Sequence, residues 1–135
     1  MRNDGVGRFV IAIFDKKGFS VIAELDGETL VGADFRGRDL TNGNFVEMDL
    51  RRANFASAKL QDADFRLARL DGASFRDADL NGADFGNTSL VGVDFAGAML
   101  NGARVSGARV TLALLSTLSA AGVDVDGIEL ADAST

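Results

Sequence analysis

The 135-residue chain contains no cysteine, histidine, proline, tryptophan or tyrosine. Without cysteine there is neither a disulfide nor a thiolate metal site, and without histidine the common transition-metal sites lose their usual nitrogen ligand. The same two absences leave no set of nucleophile, base and orienting group. Ser116 and Ser119, with no plausible base, read as ordinary helix serines, so no enzyme is expected. The lack of Trp and Tyr removes the usual interface anchors and base-stacking platforms. Positive charge is also short: 14 Lys and Arg stand against 20 Asp and Glu, a net of -6, which disfavours direct nucleic-acid binding. The apolar run Phe9 to Phe14 is too short to span a membrane, and no small-residue cleavage pattern follows it. A soluble, cytoplasmic protein without a membrane partner is the expectation.

What the chain has in quantity is one period. A large apolar residue returns at every fifth position: Leu30, Phe35, Leu40, Phe45, Leu50, Phe55, Leu60, Phe65, Leu70, Phe75, Leu80, Phe85, Leu90, Phe95 and Leu100. On a straight helix a five-residue step would turn each of them by roughly 140° and scatter them over all faces. A straight strand fails as well, because an odd step sends successive residues to opposite sides. The chain must therefore bend once in every five residues, always the same way, so that these side chains share an axis and successive coils stack. That is a solenoid.

The alternation of Leu and Phe sets the number of sides. With three sides a Phe would lie over a Leu; with four, Phe35, Phe55, Phe75 and Phe95 stack on one side and Leu40, Leu60, Leu80 and Leu100 on the next. Two residues before each large one the side chain is usually small, as at Ala53, Ala63, Ala73 and Ala83, because a tube filled by large groups has room for little more than a methyl. Glycine often follows the large residue by two, as at Gly37, Gly72 and Gly82, where a tight bend asks for unusual dihedrals. Asp or Asn often precedes it, as at Asp34, Asn44, Asp64 and Asp84, placed to bond nearby turn backbone.

Units such as Ala33-Asp34-Phe35-Arg36-Gly37, Ala63-Asp64-Phe65-Arg66-Leu67 and Ala83-Asp84-Phe85-Gly86-Asn87 resemble the A(D/N)LXX unit of the pentapeptide repeat family. The resemblance implies an all-β solenoid: a right-handed quadrilateral β-helix, with the large residue and the one two before it pointing inward and the other three outward. The sequence departs from that pattern at Arg38, Met48, Thr88 and Val93, which take inward small-residue positions; Arg38 is expected near the open N-terminal end.

In order, the chain reads as one domain, 1–135. Residues 1–7 are small, polar and expected to be loose. The runs Arg8 to Phe14 and Phe19 to Leu25 flank Asp15-Lys16-Lys17-Gly18, a hairpin signal, so residues 1–25 are read as an N-terminal hairpin cap over the exposed coil edge. A partner-binding strand is its alternative role. The phase of five extends over residues 21–110, about four to five coils. After that, Thr111 is placed to cap a short helix from Leu112 to Ala121, ended by Gly122, and residues 111–135 form a C-terminal helix and cap with a frayed end at 131–135. Leu114, Leu115 and Leu118 are the candidate contact of a homodimer through that end. Asp124 to Glu129 lacks the further ligands of a calcium loop, so neither metal nor other cofactor is expected.

Two functions fit. One is a rigid, non-enzymatic protein–protein interaction module whose partner the sequence does not identify. The other follows from the resemblance, since some members of the family look like B-form DNA and bind type II topoisomerases such as DNA gyrase. Residues 26–110 carry thirteen acidic against ten basic groups, a net of -3, whereas a duplex as long as the repeats, roughly 22 Å, bears roughly thirteen phosphates. A monomer is thus a poor mimic, and this second reading calls for a dimer.

Overall fold

In the computed structural model, which describes residues 2–3, 5 and 7–131, the backbone climbs in parallel bridges between residues one coil apart. Four columns of bridges run up the molecule: Asp34–Asn54–Ser74–Asp94, Asp39–Lys59–Asp79–Met99, Asn44–Asp64–Asp84–Arg104 and Asp49–Arg69–Ser89–Arg109. Each coil thus has four sides of five residues, a quadrilateral β-helix. A side contributes a single bridged residue per coil, so continuous strands occur only towards the ends: β1 (Arg2–Asn3), β2 (Phe9–Phe14), β3 (Val21–Asp26), β4 (Arg109–Val110) and β5 (Glu129–Leu130), with one helix, α1 (Leu112–Ala120).

Every corner from Leu30 to Ala108 is closed in the same way. The N–H two residues before the next large residue donates to the carbonyl of the large residue behind it, as from Ala33 to Leu30 at 3.0 Å and from Ala108 to Val105 at 2.9 Å. The third residue of each four-residue turn has φ between 55° and 75°, the left-handed conformation a type II turn demands. Glycine meets the demand at half of these corners, but Asn42, Glu47, Arg52, Ser57, Asp62, Leu67, Asp77 and Asn87 adopt it too. Asn and Asp tolerate it, but at Glu47, Arg52, Ser57 and Leu67 the repeat imposes the turn on residues with no liking for it.

Inside, the large residues from Leu30 to Leu100 are all buried. Phe35, Phe55, Phe75 and Phe95 stack face to face with ring centres 4.7, 4.9 and 5.4 Å apart, close to the spacing of neighbouring strands. Phe45, Phe65 and Phe85 do the same on the opposite side at 4.8 and 5.1 Å. The two stacks interlock edge to face, Phe65 lying 5.6 Å from Phe55 and 5.5 Å from Phe75, so the tube is filled by a zigzag of rings.

At the N-terminal end β2 and β3 pair antiparallel, and the hairpin joins the first coil where Asn44 N–H donates to Phe14 O and Lys16 N–H to Asn42 O, both at 2.8 Å. Ile13 and Ala23 enter the core there. Two expectations need correction. Arg2 and Asn3 are not loose, since they pair with β2. Arg38 does not point inward: its backbone closes the corner on Phe35 O at 3.2 Å while its side chain turns out to solvent at the end of the stack, which spares the burial of a charge. Thr88, by contrast, is buried, its hydroxyl donating to Phe85 O at 2.7 Å.

At the other end α1 replaces two sides of a coil. Thr111 caps it, its hydroxyl accepting the Leu114 N–H at 3.2 Å. A Schellman motif ends it: Gly122, at φ 79°, donates to Ser119 O, and Val123 N–H reaches back to Leu118 O. The chain then returns to phase, β5 pairing parallel with β4. Of the tail expected to fray, 132–135 lie outside the described residues.

Candidate interaction surface

The exterior is ordered by its own turns. Asp34, Asp39, Asn44, Asp49, Asn54, Asp64, Asp79, Asp84 and Asp94 each accept, through a side-chain oxygen, the N–H two residues further on, at 2.9–3.3 Å. Where that later residue is arginine, its guanidinium folds back on the same carboxylate. Arg36 grips Asp34, Arg51 grips Asp49 and Arg66 grips Asp64 with two-pronged contacts of 2.7–3.0 Å.

The Arg36 side chain and then its backbone N–H hold the Asp34 carboxyl at about 2, below its usual 3.8. Asp49 is lowered chiefly by the Arg51 side chain, Asp39 by the Thr41 hydroxyl and Asp94 by the Ala96 N–H followed by Arg76. Burial works to raise Asp64, but the Arg66 side chain and backbone outweigh it and the carboxyl stays low. These pairs were legible only as mixed charge in the sequence; the spacing of Asp and Arg by two, around the large residue, is the signal that finds them.

No side of the prism is of one sign. The side built on Leu50, Leu70 and Leu90 presents Arg51, Arg52, Arg69 and Arg109 against Asp49 and Asp71. The side built on Phe45, Phe65 and Phe85 sets Arg66 and Arg104 among Glu47, Asp64 and Asp84. Ion pairs also cross coils, Arg76 to Asp94 at 3.0 Å and Arg104 to Asp84 at 3.4 Å. Among the described residues no group of three acidic side chains gathers closely enough to hold a metal ion, and no helix is long and apolar enough to cross a membrane.

The candidate dimer residues divide. Leu114 and Leu118 belong to this chain's own core, so while α1 stays docked they are not available to a second copy, and the assignment of a contact to them is corrected. They face inward because they stand four apart on the side of α1 that closes the tube. Leu115 is half-buried and borders an open groove of 620 Å³ with Leu112, Ser116, Ser119, Ala120 and Val125. The exposed apolar side chains that the repeat pattern does not point to are Leu112 and Leu130 at this end and Phe14, Phe19 and Val21 on the hairpin.

Family comparisons agree with this architecture. The model described as a pentapeptide repeat region matches residues 28–95, and one described as pentapeptide repeats, in 8 copies, matches residues 78–116. No curated protein matches the chain. Among solved structures, a pentapeptide repeat protein of the Arabidopsis thaliana thylakoid lumen is 31% identical over 74% of this chain and 59% of its own, with a TM-score of 0.44. HetL, involved in heterocyst differentiation regulation in the cyanobacterium Nostoc sp. strain PCC 7120, is 32% identical over 59% of this chain and 39% of its own, with a TM-score of 0.46. This chain therefore spans less than two thirds of the length of either relative. QnrB1, a plasmid-mediated fluoroquinolone resistance protein, is 19% identical over 77% of this chain and 82% of its own, with a TM-score of 0.36. The five-residue unit, the four-sided coil and the match over residues 28–95 together make this chain a member of the pentapeptide repeat family.

Proposed function

We propose that the chain is a non-enzymatic interaction module that presents fixed side-chain columns to a protein partner. The observation that carries this reading is the set of Asx bonds, which fixes the outward groups at equivalent positions of stacked coils, with an arginine fork added on three of the four sides. Little ordering entropy remains to be lost when such a face binds. Photo-crosslinkers placed one per side, at Ala56, Gln61, Ser106 and Val91, test it in lysate of the organism that carries the gene. One dominant protein adduct from one side is expected; equal labelling of all four, or none, would count against the module.

Mimicry of DNA before a topoisomerase such as DNA gyrase is the competing use. It asks for a continuous acidic face, and each side here interleaves arginine with aspartate. Stoichiometric protein is expected to leave supercoiling by purified gyrase unchanged, and inhibition would favour the mimic.

A further inference from the structure

The hairpin tip and the C-terminal end differ in local charge and are alike in exposed apolar surface, although Glu24, Asp26 and Glu28 lie nearer the base of the hairpin. On the hairpin Phe14 and Val21 face each other across β2 and β3, 42% and 48% exposed, and Phe19 in the turn is 87% exposed. Lys16 and Lys17 stand exposed beside them. The acid of that turn, Asp15, is half-buried, its carboxylate accepting the N–H groups of Phe19 and Ser20 at 3.0 and 3.4 Å. At the far end Leu112, 69% exposed, borders the 620 Å³ groove, and Leu130 on β5 is 50% exposed. Residues 111–130 contribute Asp124, Asp126 and Glu129 and no Lys or Arg, while Arg104 borders Asp124 and Asp126 and Arg109 pairs in register with Glu129 one coil further in. Among the described residues β5 pairs only with β4.

Symmetric contacts suit neither end. Tail against tail would bring the three acids of each copy together, with Arg104 and Arg109 one coil further in, and tip against tip would oppose the lysines. Tip against tail pairs lysine with carboxylate and gives the aromatic tip an apolar groove. We infer that the basic, aromatic hairpin tip of one copy docks on the acidic C-terminal end of a second copy, so that the chain associates head to tail. Such a contact does not close on itself, and growth is open-ended and weak at each step.

Light scattering and sedimentation of the full chain, from micromolar to millimolar concentration at low salt, give the first readout. The mean mass should rise above the 14.1 kDa monomer with concentration and fall back when salt is added. Two variants then decide the geometry: Lys16→Glu with Phe19→Ser spoils the tip, and Leu112→Asp with Glu129→Lys spoils the tail. All four side chains are exposed, so both proteins should melt as the parent does. Each alone should stay monomeric, while an equimolar mixture should form a dimer and stop there, since each copy keeps one intact end. A parent that stays monomeric, a tip variant that still dimerises, or an inert mixture would overturn the proposal.

Discussion

The carboxylate of Asp62 fills the space into which a side chain on Gly82, one coil above, would project. The same relation holds for Asp77 beneath Gly97 and Asn87 beneath Gly107. At these three corners the oxygen below leaves room only for glycine, whereas Asn42 beneath Asp62, Ser57 beneath Asp77, Glu47 beneath Leu67 and Leu67 beneath Asn87 stack side chain on side chain.

Gly82→Ala should cost about 1–3 kcal/mol, because alanine there meets both the Asp62 carboxylate and a φ of 74°. Combining it with Asp62→Gly should recover part of the loss, since the contact goes and the dihedral stays. Denaturant melts of the four proteins in a double-mutant cycle measure this; strictly additive costs would contradict it.

Leu67 is a bulky, exposed residue at φ 63°. Leu67→Gly should stabilise the fold by about 1 kcal/mol by removing the left-handed penalty, with little apolar burial given up. A lower melting temperature for the variant would show that packing of Leu67 on the surface outweighs its backbone strain.

Phe65→Ala should cost about 3–5 kcal/mol, because the ring contacts rings on four sides in a closed tube. Its neighbours Phe45 and Phe85 lie parallel to it, at 4.8 and 5.1 Å, while Phe55 and Phe75 lie edge-on. Phe95→Ala should cost less, since its stacking distance to Phe75 has widened to 5.4 Å and the tilt between the rings has grown to 17°. Equal losses in urea melts would mean that the stack is no looser at that end.

Asp34, Asp39, Asp49, Asp64 and Asp94 all have carboxyls lowered in the folded state. Their contribution is therefore complete above the unfolded value of 3.8 and is lost as pH falls towards the folded values, about 2 for Asp34. Melting temperature should be flat from neutral pH down to about pH 5 and drop below about pH 4. Asp64→Asn should remove part of that slope; a variant with an unchanged acid limb would deny Asp64 a share in it.

The core was legible because a strict period leaves one solution: only a four-sided coil lets Phe65 lie over Phe45 and under Phe85. The helix cap was legible too, since Thr111 and Gly122 carry their conformations in their chemistry. The corners were half legible. Gly72 announces a left-handed residue, but Arg52 and Leu67 are forced into one by neighbours, and no local preference records that. Arg38 misled because position alone assigned it inward, while a coil at the end of a stack has solvent within reach of a long side chain. The helix reads as a cap, but Leu114 and Leu118 form an apolar stripe that suits a second copy as well as the chain's own open tube, and the sequence does not distinguish those destinations.

Since one coil is four equal units, the fold keeps count like a ratchet wheel with four teeth. Loss or gain of a single five-residue unit would index everything beyond it by a quarter revolution, sliding each Phe onto a Leu side, whereas a change of four units would restore the register. The bearing of the acidic end relative to the hairpin is thus quantised. In a head-to-tail array that bearing would set the pitch, and a one-unit duplication would convert one filament twist into another without altering either docking end.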